Sequence, residues 1–95
     1  MGAATPDEQS AILGIRNRLG LHARAAVSLV KTAERFDAEV SIAKDGQVVN
    51  GRSIMGVMML AAEQGSEIEV TTRGPQAREA LQAIRELVEA RFNEE

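Results

Sequence analysis

Residues 39–50 read Glu39-Val40-Ser41-Ile42-Ala43-Lys44-Asp45-Gly46-Gln47-Val48-Val49-Asn50. Val40 and Ile42 fall on one side of an extended chain and Glu39 and Ser41 on the other, which is the period of a half-buried strand. Asp45-Gly46 is a strong hairpin signal, because the favoured two-residue turn needs positive φ at both central positions. The segment is therefore expected to form two neighbouring antiparallel strands, 39–44 and 47–50.

Upstream, residues 23–36 read as a helix whose apolar face carries Ala26, Leu29, Val30, Ala33 and Phe36, with Val27 at its edge. Before it lie a loop, 16–21, containing Gly20, and a short β-prone run, 11–15, with Ile12, Leu13 and Ile15. Downstream, Gly51-Arg52 leads into a short helix over 53–62, with Ser53 as N-cap. Gly65 interrupts. Residues 67–72 alternate again, with Ile68 and Val70 inward. Gly74-Pro75 is expected to open the last helix, whose stripe is Ala77, Ala80, Leu81, Ile84, Leu87, Val88 and Phe92. The order is β-α-β-β-α-β-α. Four strands cannot have both sheet faces covered by so short a chain, so the expected class is α+β, an antiparallel-rich sheet with the helices on one face. Residues 1–10 are expected to be a flexible tail and residues 11–95 a single domain.

The composition excludes much. Ninety-five residues make one domain, not two. Eleven Lys and Arg against 14 Asp and Glu leave a net charge of −3, which argues against a polyanion-binding surface. There is no Trp or Tyr, and the two Phe are Phe36 and Phe92, so bases have almost nothing to stack on. No nucleic-acid partner is expected. With no Cys and one His, neither thiol chemistry nor a multi-His metal centre is expected. No Gly-rich nucleotide loop is present, so no cofactor is expected. The longest apolar run, 54–62, falls well short of the about 20 residues that span a membrane. Residues 1–10 lack the basic and apolar regions of a secretory signal, so a cytoplasmic location is expected.

His22 stands where the first long helix begins. The first turn of a helix presents unpaired N–H groups and partial positive charge, a natural place for an anion. Arg24 can add a forked donor suited to phosphate oxygens. An imidazole with an ordinary pKa of about 6.5 is largely neutral and nucleophilic at pH 7, and the positive helix end further disfavours the imidazolium. Such a site can accept a phosphoryl group on a ring nitrogen.

The surrounding word, Gly20-Leu21-His22-Ala23-Arg24-Ala25-Ala26, resembles the active-site motif of the HPr family, the histidine-containing phosphocarriers of the bacterial phosphotransferase system. A second word at the expected separation, Asn50-Gly51-Arg52-Ser53-Ile54-Met55-Gly56-Val57-Met58-Met59-Leu60, resembles the regulatory serine and following helix of that family. Phe36-Asp37-Ala38-Glu39-Val40 resembles the end of its first helix. The resemblance runs from about Ala11 to Phe92.

It implies an open-faced β-sandwich, a four-stranded antiparallel sheet with three helices on one face. It implies that His22 is phosphorylated at Nδ1, that Arg24 stabilises the phosphate, that enzyme I is the donor, and that enzyme IIA domains are the acceptors in sugar uptake. The chain would then be a phosphoryl carrier with a covalent phosphohistidine rather than a stand-alone enzyme, and a monomer. One departure is Ala25, where the family usually has Pro. Ala25 keeps an N–H in the first turn and loses the stiffening of a fixed φ.

Ser53 has a structural reading as a helix cap and, by the resemblance, a regulatory one as the target of HPr kinase/phosphorylase. Phosphorylation there adds a charge of about −1.5 to −2 at a helix N-terminus, which the fold tolerates and an incoming phosphorylated partner does not. The helix after it is too apolar for its length. Val57, Leu60 and Ala61 are expected to be buried, and Met59 is read as core filling. Ile54, Met55 and Met58 are expected on the exposed side, where flexible Met suits several partners. Arg24, Val27, Ile54, Met55, Gly56 and Met58 form the expected docking patch. Alternatives are the nitrogen-related carrier of the same fold, feeding a regulatory cascade, and a regulatory binding module without transport role. The catabolite-repression paralogue is a module of the second kind, and it lacks the active-site His that is present here.

Overall fold

The computed structural model describes residues 7–94. The elements are β1 (Glu8–Gly14), α1 (Ala23–Glu34), β2 (Glu39–Lys44), β3 (Gln47–Asn50), α2 (Ile54–Met59), β4 (Glu67–Arg73) and α3 (Ala77–Glu89), followed by a 3₁₀ turn, Arg91–Asn93. The strands form one sheet in the order β1-β4-β2-β3, every pairing antiparallel. The expected β2–β3 hairpin is present. Asp45 and Gly46 take φ of 52° and 84°, the two positive values that the tight turn requires. β4 is the element that joins the hairpin to β1, pairing with both β1 and β2.

Alternation decides which face is covered. Leu13, Val40, Ile42, Ile68, Val70 and Thr72 are buried, while Ile12, Glu39, Glu67, Glu69 and Arg73 point to the open side. Ala26, Leu29, Val30 and Ala33 of α1, Val57 of α2, and Ala77, Ala80, Leu81, Ile84 and Val88 of α3 complete the core. The architecture is the expected open-faced sandwich. Thr72, buried within it, donates its hydroxyl to the carbonyl of Ala77 at 2.6 Å, so its polar group is not left unpaired.

Several boundaries differ from expectation, each for a local reason. β1 begins at Glu8, so residues 8–10 belong to the sheet rather than to a tail. Glu8 and Ser10 are satisfied on the open face, Glu8 by Arg73 at 2.9 Å and Ser10 by Glu69 at 3.2 Å. Residues 1–6 of the expected tail lie outside the described residues. α1 stops at Glu34, leaving Phe36 half-buried outside the helix, with the Arg35 guanidinium 5.3 Å from its ring centroid.

α2 stops at Met59, because Ala61 adopts φ of 51° and turns the chain. Ala61 is consequently exposed and Ala62 buried, the reverse of a continued helix. Met59 is 63% exposed and is not core filling. Pro75 sits in the turn before α3, which starts at Ala77. Phe92 is buried as expected, but from beyond α3, through the 3₁₀ turn.

Candidate functional site

The loop from β1 to α1 is pinned to the segment that precedes β4. Ile15 and Leu21 are buried, and backbone bonds run from Ile15 N to Ser66 O, Gly65 N to Ile15 O, and Leu21 N to Ala62 O, at 2.8–2.9 Å. Gly20 makes this approach possible. Its φ is +65°, and a Cβ there would stand 2.3 Å from the Ala62 carbonyl oxygen. Asn17, fully buried, closes the loop by donating from Nδ2 to the Gly20 carbonyl at 2.8 Å.

His22 emerges from this clamp as the N-cap of α1, in extended conformation, with its carbonyl accepting from Ala26 N at 2.8 Å. Its side chain makes no capping bond, so the ring is free for other partners. The partner is Glu94, 72 positions away in sequence, whose Oε2 lies 2.5 Å from His22 Nε2. The other carboxylate oxygen, Oε1, accepts from Asn17 Nδ2 at 3.1 Å. Asn17 Nδ2 thus serves two acceptors, which is the amide orientation that two oxygens demand.

The His22 side chain is 26% exposed and that of Glu94 11%. Burial pushes the Glu94 carboxyl up. The hydrogen bonds from His22 and Asn17, together with the charge of His22 in its protonated form and that of Arg24, outweigh that and hold it below the ordinary range. An ionised carboxylate only accepts, so Nε2 is the donor and carries the proton. The lone pair of the neutral ring is then on Nδ1, which no hydrogen bond among the described residues engages.

A lowered carboxyl pKa has a defined consequence for pH. The contact stabilises the fold above the unfolded glutamate value of about 4.3, and that contribution is lost as pH falls through the lower folded value. The melting temperature of the parent should exceed that of Glu94→Gln at about pH 6, and the gap should close as pH falls to about 3. A gap independent of pH would mean that the ionised carboxylate adds nothing.

Arg24 is exposed on the first turn of α1 and acts on Glu94 through its charge. Ala25 is fully buried against the core. Ser53 caps α2, its Oγ accepting from Gly56 N at 3.0 Å. α2 packs against α1. Of the residues expected to form a docking patch, Ile54, Met55 and Met58 are exposed, while Val27 and Gly56 are half-buried. Two further apolar side chains are exposed, Met59 on α2 and Leu19 in the loop before His22. Sequence reasoning missed Asn17 and Glu94. Asn17 lies in a recognised loop but belongs to no motif read there. Glu94 carries no signal at all, because its partners are remote in the chain.

The family model described as "PTS HPr component phosphorylation site" matches residues 9–90. The phosphocarrier protein HPr of Xylella fastidiosa (strain Temecula1) is 48% identical over 83 residues, 87% of this chain and 93% of that protein. Among solved structures, HPr from Thermoanaerobacter tengcongensis superposes with a TM-score of 0.88 at 38% identity, covering 92% of this chain and 98% of that one. HPr from Bacillus anthracis superposes with a TM-score of 0.82 at 43% identity, covering 85% and 96%.

Proposed function

The chain belongs to the HPr family, the phosphocarriers of the phosphotransferase system, and from that membership we propose that it takes a phosphoryl group onto His22 Nδ1 from phosphorylated enzyme I and hands it to enzyme IIA domains in sugar uptake. The observation that carries the assignment is the commitment of Nε2 to Glu94, which leaves the Nδ1 lone pair as the nucleophile. The lone pair forms the N–P bond as the bond from phosphorus to the donor breaks. The unpaired N–H groups at the start of α1 and the exposed Arg24 supply positive charge and donors for the phosphoryl oxygens.

Ile54, Met55 and Met58, with Val27, Gly56 and Arg24, form the surface against which these partners dock. The apolar exposure of α2 supports that role. The domain runs as one unit from Glu8 and acts as a monomer in the cytoplasm. Among the described residues no helix is long and apolar enough to cross a membrane. No observation favours the nitrogen-related carrier, and the presence of His22 counts against a module without transfer. The test is incubation with phosphoenolpyruvate and enzyme I. Acid-labile phosphate on His22 is expected, and its absence would overturn the assignment.

Ser53 is the proposed site of HPr kinase/phosphorylase, and its cap bond allows cap and regulation to be separated. Ser53→Asp keeps an N-cap acceptor and should melt like the parent. It places a charge beside Ile54 and Met55, which a docking partner must cover, so transfer from enzyme I should slow about tenfold or more. Ser53→Ala should lose about 1 kcal/mol of stability and keep transfer. Parental transfer rates in Ser53→Asp at moderate salt would reduce Ser53 to a structural cap.

A further inference from the structure

The chain has no cysteine, so its methionines carry all of its sulfur. Three of its four methionines, Met55, Met58 and Met59, stand on α2, a helix of six residues. The fourth, Met1, lies outside the described residues. Positions 55, 58 and 59 are three and four apart and therefore share one face of the helix. That face is turned to solvent. Met55 is 69% exposed, Met59 63% and Met58 38%. The opposite side carries the anchors. Val57 is fully buried, Leu60 is buried just past the helix, and Ser53 Oγ holds the first turn by accepting from Gly56 N at 3.0 Å. The methionine side chains are thus open to small reagents, while the groups that fasten α2 to the domain are other residues.

We propose that Met55, Met58 and Met59 form a reversible oxidation site through which a peroxide weakens docking at α2. The consequence for transfer rests on the docking role of α2 given above. In the forward step a lone pair of the thioether sulfur attacks one peroxide oxygen and the O–O bond breaks. The departing hydroxide takes the proton from the transferred oxygen and leaves as water. Sulfur is oxidised by two electrons to the sulfoxide, and the peroxide is reduced by two. In the return step a methionine sulfoxide reductase releases that oxygen as water while a pair of thiols becomes a disulfide. The forward step replaces a flexible apolar surface by a polar one. A partner that covers α2 must then strip water from each sulfoxide oxygen, and an acceptor buried without a donor opposes binding. Val57, Leu60 and the Ser53 cap are untouched, so the domain keeps its fold.

The test treats the full chain with hydrogen peroxide and removes the excess with catalase before enzyme I is added. Peptide mass spectrometry should place oxygen on Met55 and Met59 before Met58 and leave His22 unmodified. Phosphoryl acceptance from phosphorylated enzyme I should slow about tenfold or more, and the oxidised chain should keep its cooperative melt. Methionine sulfoxide reductases for both epimers, supplied with dithiothreitol, should restore the untreated rate. A variant combining Met55→Leu, Met58→Leu and Met59→Leu is compared with itself untreated, and peroxide should leave its rate unchanged. The single variants Met55→Leu and Met59→Leu, which disturb the surface least, should each lose part of the sensitivity. An α2 left unmodified, an oxidised parent that transfers at the untreated rate, a rate that reductase does not restore, or a combined variant as sensitive as the parent would overturn the proposal. Failure of the untreated parent to become phosphorylated on His22 would instead overturn the carrier assignment, and the sulfoxide map would still decide whether α2 is the oxidation site.

Discussion

His22→Ala is expected to lose phosphoryl acceptance completely while the domain stays folded. The chain has one histidine, so no second imidazole can replace it. Neighbouring Arg24 supplies charge but no nucleophile, since a guanidinium stays protonated at neutral pH. The fold survives because His22 is not core. Leu21 and Ala25 on either side are buried and hold the start of α1, and the cap carbonyl that accepts from Ala26 N is backbone and remains. What is lost is the Nε2–Glu94 bond, a cost of about 1 kcal/mol, and Glu94 retains Asn17 as a partner. The melting temperature should fall by roughly 4–8 °C. Labelling with phosphoenolpyruvate and enzyme I, read beside a thermal melt, checks both halves. Acid-labile phosphate on the variant would refute the site. Loss of the folded transition would show that His22 is structural.

Gly20→Ala is expected to be the most destabilising single methyl in the loop. Alanine at φ near +65° costs about 1–2 kcal/mol. Its Cβ would also meet the Ala62 carbonyl oxygen at 2.3 Å and the Glu63 Cα at 2.9 Å, both backbone, so the loop has to move away. That movement strains the bond from Leu21 N to Ala62 O, worth about 0.5–1.5 kcal/mol. The sum of about 1.5–3.5 kcal/mol is a large share of the stability of a small domain and corresponds to a fall of roughly 6–28 °C in melting temperature. Folded molecules should also transfer more slowly, because the same clamp aims His22 and sets the Gly20 carbonyl that anchors Asn17. A change of less than about 3 °C would mean that the loop does not need its close approach to Ala62.

Much of this protein was legible without coordinates wherever the information is local. Asp45-Gly46 has only one short hairpin to make, so β2 and β3 were placed to the residue. The alternation of Val40 with Ile42 and of Ile68 with Val70 named the covered face, because a strand's side chains switch sides at every residue. His22 and Ser53 were found as helix caps because a cap is defined by its immediate neighbours, and the words around them carried the family. Boundaries were less legible. Whether α2 continues depends on the backbone of Ala61, and whether Glu8 starts a strand depends on Arg73 lying opposite. The α2 surface was half read. Met59 looked like filling because helical period alone cannot say how soon the helix stops.

Composition, periodicity and two short words thus determined the fold class and the Ser53 cap on their own and pointed to His22 as the candidate nucleophile, since each reading depends on residues within a few positions. The resemblance implied Nδ1 as the phosphorylated nitrogen, and the tertiary structure supplied the physical ground for that choice, with Nε2 committed to Glu94. That choice needs Asn17, His22 and Glu94 to meet across 72 and 77 positions, through a loop that must contain glycine at position 20 and a left-handed turn that buries Phe92. No local pattern encodes a hydrogen bond between groups whose nearness is a consequence of the whole core.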